Sequence, residues 1–335
     1  MNTRRFPRNL AWLFTIVLLL GCGDSVASAQ TAFPLHTAGQ YMVDSNGYRV
    51  RLNAFNWYGT ESTDYVVAGL QTASLQSIVD EIKSLGFNAV RLPWSNQMYE
   101  SNPVVGNYAL AANTGLEGEN ALTIFDQVIS TLTNDGIMVI LDNHMSNAGW
   151  CCSTTDGNTL WYNTSYPETS WIADWEGIVQ RYDSNPYVIG VDLRNEPRGT
   201  ATWGGSASTD WHATAQRGSD AIQTVDSNLL VFVEGISYAG DLSGVSSLPI
   251  SLTVGNRVVH RQNYDLPRNQ SDRSVASFAF LSVSNWFHAA PAEASVRIVC
   301  PVLLLPSRFA LGESCLAATT CRFEGEAPAA SLFHY

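Results

Sequence analysis

From residue 37 onward, short apolar runs alternate with longer stretches whose apolar residues recur at helical spacing. Alternation of this kind builds parallel sheets with crossover helices. Strands are predicted at 51–57, 88–93, 137–142, 188–194, 229–234 and 257–260. In the first helical stretch, 75–85, Leu75, Ile78, Val79, Ile82 and Leu85 share one face, and Gly86 stops it. Stretches 121–132 and 171–182 keep the same period, the second ending before Asn185-Pro186. Trp171 and Trp175, four apart, are assigned to a helix on the outer face of a barrel. Ahead of all this, 41–43 and 48–52 flank Asp44-Ser45-Asn46-Gly47, a turn signal that predicts a small hairpin closing a barrel floor. Polar and aromatic residues at successive strand ends point to an α/β chain of the (β/α)8 TIM-barrel type. On spacing alone, a doubly wound open sheet fits too.

The first 29 residues stand apart. Arg4, Arg5 and Arg8 precede an apolar run of twelve, Leu10 to Gly21, and Ala27-Ser28-Ala29 offers a small-residue cleavage site. This is the layout of an export signal, and the run is too short to span a bilayer. Leu19-Leu20-Gly21-Cys22 also fits a bacterial lipoprotein box, so secretion and lipid anchoring at Cys22 both stay open. Processing at residue 29 takes three of the 18 basic and one of the 30 acidic residues, leaving 15 against 29, a net charge of −14. Such a surface repels phosphates, which excludes nucleic acid as a partner. The expected mature chain, residues 30–335, is a monomer without a membrane contact, and only the alternative processing, which retains a lipidated Cys22, would tether the protein. An oxidising compartment permits disulfides among the five later cysteines, and their odd number leaves one unpaired. No cysteine–histidine spacing suggests zinc, and neither metal nor cofactor is expected.

The chemistry is concentrated where the strands end. Asn56-Trp57, Arg91-Leu92-Pro93-Trp94, Asp142-Asn143-His144, Arg194-Asn195-Glu196-Pro197 and Glu234-Gly235 all fall there. Glu196 follows a rigid strand and precedes a proline that forces the chain to turn, which presents its carboxyl to a substrate. An ion pair with Arg91 or Arg194 would also account for an isolated glutamate at this place. The convergence of Arg91, His144 and Asn195 on the same barrel face weighs against that plainer reading. Among ten tryptophans, Trp57, Trp94, Trp150, Trp161 and Trp203 follow strands or lie in their loops, where a flat indole offers a ligand-stacking surface or serves packing.

These segments together resemble the cellulase family of glycoside hydrolases, family 5. Asn195-Glu196-Pro197 resembles its motif after the fourth strand, Gly86-Phe87-Asn88-Ala89-Val90-Arg91-Leu92-Pro93 its second-strand signature, and Leu141-Asp142-Asn143-His144 its third. Gly149-Trp150-Cys151-Cys152 is similar to one branch of the family, and the resemblance covers about residues 37–260. It implies endo-acting, retaining hydrolysis of β-1,4-glucan by two glutamates, with Glu196 as acid/base. It also implies that Asn195 binds the sugar 2-hydroxyl, that Arg91 holds the nucleophile ionised, and that His144, Trp57 and Trp150 line the cleft.

After Asn256-Arg257-Val258-Val259 the likeness fails. His260 and Tyr264 stand near the family's histidine and tyrosine, with Tyr264 the expected substrate contact. Leu311-Gly312-Glu313-Ser314 is the nearest counterpart of the nucleophile motif, which makes Glu313, 117 residues after Glu196, the candidate nucleophile. Residues 30–260 carry nine basic and 23 acidic residues, whereas 261–335 carry six and six. An altered reading frame or a truncated gene accounts for that break, as does divergence, and it places the seventh and eighth strands in doubt. The alternative function is therefore a glucan-binding homologue without a competent nucleophile. A third reading takes Glu234 as the second carboxylate of a different barrel hydrolase.

Overall fold

The computed structural model describes residues 30–205 and 208–262 and the backbone of 281–282. Two antiparallel strands, β1 (His36–Ala38) and β2 (Tyr41–Val43), form a small ribbon at the start. The predicted turn follows β2: the Asp44 carboxylate accepts the N–H groups of Asn46 and Tyr48 at 3.0 and 2.9 Å. Its second arm makes a single bridge, Val43 to Arg49, so the ladder partner of β2 is β1 and not 48–52 as the sequence suggested.

Next come β3 (Ala54–Asn56), β4 (Ala89–Ser95), β5 (Met138–Met145), β6 (Val188–Asp192), β7 (Leu230–Glu234) and β8 (Val258–Arg261). From β4 on, each is parallel to its predecessor and lies beside it. A further pair of residues, β9 (Leu281–Ser282), runs parallel to β3 on its other side, giving the order β8-β7-β6-β5-β4-β3-β9. Strands laid down in chain order, with a late strand returning to the first, follow barrel order. A doubly wound sheet would reverse direction at a switch point, and none occurs among the described residues.

Among the described residues, five helices of six residues or more fill the crossovers: α1 (Leu75–Ser84), α2 (Asn96–Ser101), α3 (Ala121–Asn134), α4 (Glu168–Tyr182) and α5 (Trp211–Val225). Helix α1 shows why its sequence folds this way. Ser74 caps it by accepting the Ser77 N–H, Ile78, Val79 and Ile82 face the core, and Gly86 leaves it at φ 83°. Helix α5 had no visible stripe, because its buried face is Trp211, Thr214, Ala215, Gly218, Ser219 and Ile222. That small face is needed, since a Cβ on Gly218 would come within 2.6 Å of the Trp171 ring.

The strands have two faces, and the alternation assigns each residue to one of two cores. Val90, Leu92, Val139, Leu141, Val191, Val231 and Val233 pack outward against the helices, together with Trp94, Trp171 and Trp175. Ala54, Ala89, Met138, Ile140, Ile189, Leu230, Phe232 and Val259 form a smaller inner cluster. Continuing along the inward face toward the strand ends, the next residues are charged.

Candidate active site

Arg91 is the centre of that upper layer and is wholly buried. Its guanidinium lies 2.8 Å from Asp142 Oδ1 and 2.8 Å from Asp192 Oδ2. It also donates to Asn195 Oδ1 at 3.1 Å, Glu234 Oε1 at 3.2 Å and Asn56 Oδ1 at 3.4 Å. Four other strands thus converge on one side chain of β4. A second guanidinium, Arg261 from β8, pairs with Asp192 at 3.0 Å and with Glu234. The electrostatics follow from burial and pairing. Burial opposes ionisation of Asp142, but Arg91 and His144 outweigh it and hold its pKa below the ordinary value. Asp192 shares Arg91 and Arg261, yet burial dominates there and pushes its pKa up. Arg261 itself is brought down to about 10 by burial and by Arg91.

The expected residues fall into place around this layer in different ways. His144 Nδ1–H donates to Asp142 Oδ2 at 2.7 Å, which fixes the ring and leaves Nε2 for other contacts. Asn195 is held by Arg91 through Oδ1 and by its backbone N–H, which donates to Asn143 O at 3.0 Å. Its Nδ2 lies 3.6 Å from the sulfurs of Cys151 and Cys152, which form a disulfide between neighbours. Glu196 is half-buried just past the end of β6. Its backbone is left-handed, φ 49°, a state that costs a non-glycine residue about 1–2 kcal/mol. Partners on both sides hold it there: its N–H donates to Glu234 Oε2 at 2.8 Å, and its carbonyl accepts from Arg198 Nη1 at 3.0 Å. Arg198 is fixed in turn by Asp156 at 2.6 Å.

Several sequence expectations need correction. Trp57 is 1% exposed in the outer core, its indole N–H donating to Ala68 O at 2.8 Å, so it has no face free for a sugar. Trp94 and Trp161 are buried likewise. For Trp57 and Trp94 the reason is strand alternation, which turns them to the helix side; Trp161 lies in the loop after β5, packed on Trp211 with its indole N–H donating to Glu168 at 3.0 Å. Trp150 does stand in the open, 69% exposed, with its ring edge-on to Tyr58 at 5.8 Å. Trp203 is half-buried against the His212 and His260 rings. Trp171 and Trp175 lie between helix and sheet as assigned, and they also brace the site, donating to Asn143 Oδ1 and Leu193 O. No metal was expected from spacing, yet His144, Cys151 and Cys152 place ligand-type atoms within 4.8 Å of one another. Glu313 and Tyr264 lie outside the described residues, as do Cys22 and residues 1–29.

Sequence reasoning missed Asp192, Arg261 and Glu61, and it gave Glu234 no part in positioning. Glu61 is buried in the loop after β3, where it accepts the Gly59 N–H at 2.7 Å and burial raises its pKa. Strand parity was the available signal for Glu234, two residues beyond the inward-facing Phe232, but not for Asp192, because a register irregularity at Ile189 breaks the alternation of β6.

An endoglucanase of Paenibacillus polymyxa is 40% identical over 237 residues, 67% of this chain and 58% of the relative. A major extracellular endoglucanase of Xanthomonas campestris pv. campestris is 39% identical over 224 residues, 63% of this chain and 45% of the relative. The chain therefore spans about half the length of these relatives. The solved catalytic domain of the Xanthomonas major endoglucanase superposes with a TM-score of 0.63 at 33% identity, covering 69% of this chain and 68% of that one. An endocellulase from Pyrococcus horikoshii, solved as a cellotetraose complex, gives 0.61 at 29% identity over 70% of each chain. These neighbours and the strand order identify a (β/α)8 barrel. The sequence signature of the cellulase family, glycosyl hydrolase family 5, matches residues 43–272, and this chain belongs to that family.

Proposed function

We propose that the chain is a secreted, endo-acting hydrolase of β-1,4-glucan that works by a retaining two-glutamate mechanism. The observation that carries this reading is the half-buried Glu196, held at a strand end in a left-handed turn beside Asn195 and above a ring of buried charges. The names of the similar endoglucanases support the substrate class. In the proposed cycle, Glu196 protonates the glycosidic oxygen while a second carboxylate, assigned to Glu313, attacks the anomeric carbon. Glu196 then takes a proton from the water that releases the glycosyl group. Asn195 and His144 face the sugar, each oriented by the Arg91 and Asp142 network, and Trp150 offers a stacking surface on the rim. Residues 1–29 serve as the export leader.

A second reading, glucan binding without turnover, draws on the change of composition after residue 260, where the acidic excess of 30–260 disappears. Viscometry separates the two. Endo-hydrolysis makes the viscosity of a soluble β-1,4-glucan fall well before reducing ends accumulate. A folded protein that binds cellotetraose in a calorimeter but leaves viscosity unchanged rejects the hydrolase in favour of the binding protein.

A further inference from the structure

Glu234 is wholly buried at the end of β7, and its two carboxylate oxygens do different things. Oε1 faces the cations, accepting from Arg91 at 3.2 Å and from Arg261. Oε2 accepts the backbone N–H of Glu196 at 2.8 Å, across from the neighbouring strand β6. The Glu234 carbonyl accepts the Trp211 indole N–H at 2.8 Å, which ties the strand end to α5. Glu196 is the residue on this strand end whose backbone is left-handed, and the direction of a side chain follows from the φ of its residue.

We propose that Glu234 is a positioning residue for the acid/base: its Oε2 fixes the left-handed turn at Glu196, while Arg91 and Arg261 hold Glu234 in place. The inference rests on the assignment of Glu196 as acid/base, and it gives Glu234 a part that touches neither substrate nor reacting atoms. A hydrogen bond to a charged acceptor is strong enough in a buried site to hold a backbone state that a side chain disfavours. Loss of that bond lets the turn relax and moves the Glu196 carboxyl off the glycosidic oxygen, which lowers turnover more than binding.

The test compares Glu234→Leu with Glu234→Gln in the full chain. Glutamine keeps an oxygen at the same reach for the Glu196 N–H, whereas leucine removes it. On soluble β-1,4-glucan, leucine is expected to lower kcat about 10- to 100-fold with KM within about threefold, and glutamine to recover most of that kcat. Equal losses in both variants, or native kcat in the leucine variant at matched folded fraction, overturn the proposal. Backbone hydrogen exchange at Glu196 needs no turnover: slow exchange is expected in the native and glutamine proteins and fast exchange in the leucine protein. A native chain that fails to cleave glucan sinks the hydrolase reading and leaves this exchange result to stand or fall separately. Fast exchange at Glu196 in the native protein overturns the positioning role.

Discussion

The lower and upper layers of the inward strand faces are built from the same strands and are opposite in chemistry. Below lie Ala89, Ile140, Leu230 and Phe232, an apolar cluster that any closely packed barrel floor needs. Above, a few residues farther along the same strands, lie Arg91, Asp142, Asp192 and Glu234, all wholly buried. Burying four ionisable groups is costly, and a hydrophobic layer would serve stability as well or better. Retaining the charges makes sense when the layer has a second task. Its outer rim holds His144, Asn195 and the backbone of Glu196 through direct hydrogen bonds. The lower layer makes the barrel stable, and the upper one sets geometry.

Breaking the upper layer at its centre should have the largest effect. Arg91→Met leaves three carboxylates without their shared cation, and urea unfolding should show a loss of about 3–5 kcal/mol together with loss of glucan cleavage. In the lower layer, Phe232→Ala should lose about 3–5 kcal/mol in the same assay. Cleavage per folded molecule should there stay within about threefold of native, and a large specific loss would erase the distinction between the layers. Removing the rim aromatic, Trp150→Ala, should weaken cellotetraose binding about tenfold by calorimetry, about 1.4 kcal/mol, and leave the unfolding midpoint unchanged.

The smallest effect lies away from both layers, between α2 and α4. Burial pushes the Asp174 carboxyl up to about 7, against the hydrogen bond from Asn96 at 2.6 Å and with the help of Glu100. The folded chain holds this proton more tightly than the unfolded one. The stability the group confers is therefore complete below the ordinary pKa of 3.8 and declines as pH rises to about 7. Asp174→Asn should gain in thermal midpoint relative to native across that interval and keep a constant difference above it. A difference that does not vary with pH would remove Asp174 from the account.

The six strands of the main sheet that precede residue 262, and three of the helices, were legible because their apolar residues keep strict periods. Helix α5 was not, since its buried face is made of threonine, serine, glycine and alanine. Glu196, Asn195, Arg91 and His144 were readable from short motifs at strand ends. The parts played by Asp192, Glu234 and Arg261 were not, because each depends on the register of strands far apart in sequence. Trp57 was misplaced for a related reason: a strand-end aromatic is visible in sequence, but which face it takes depends on its alternation with the residues before it.

The measurement that tests the central claim most directly is the release of reducing sugar from a soluble β-1,4-glucan by native protein and by Glu196→Gln, at matched folded fraction. The account predicts cleavage by the native chain and a fall of about a thousandfold in the variant, with the unfolding midpoint unchanged. Equal rates in the two proteins would contradict the role of Glu196, and a folded native chain without cleavage would contradict the hydrolase itself.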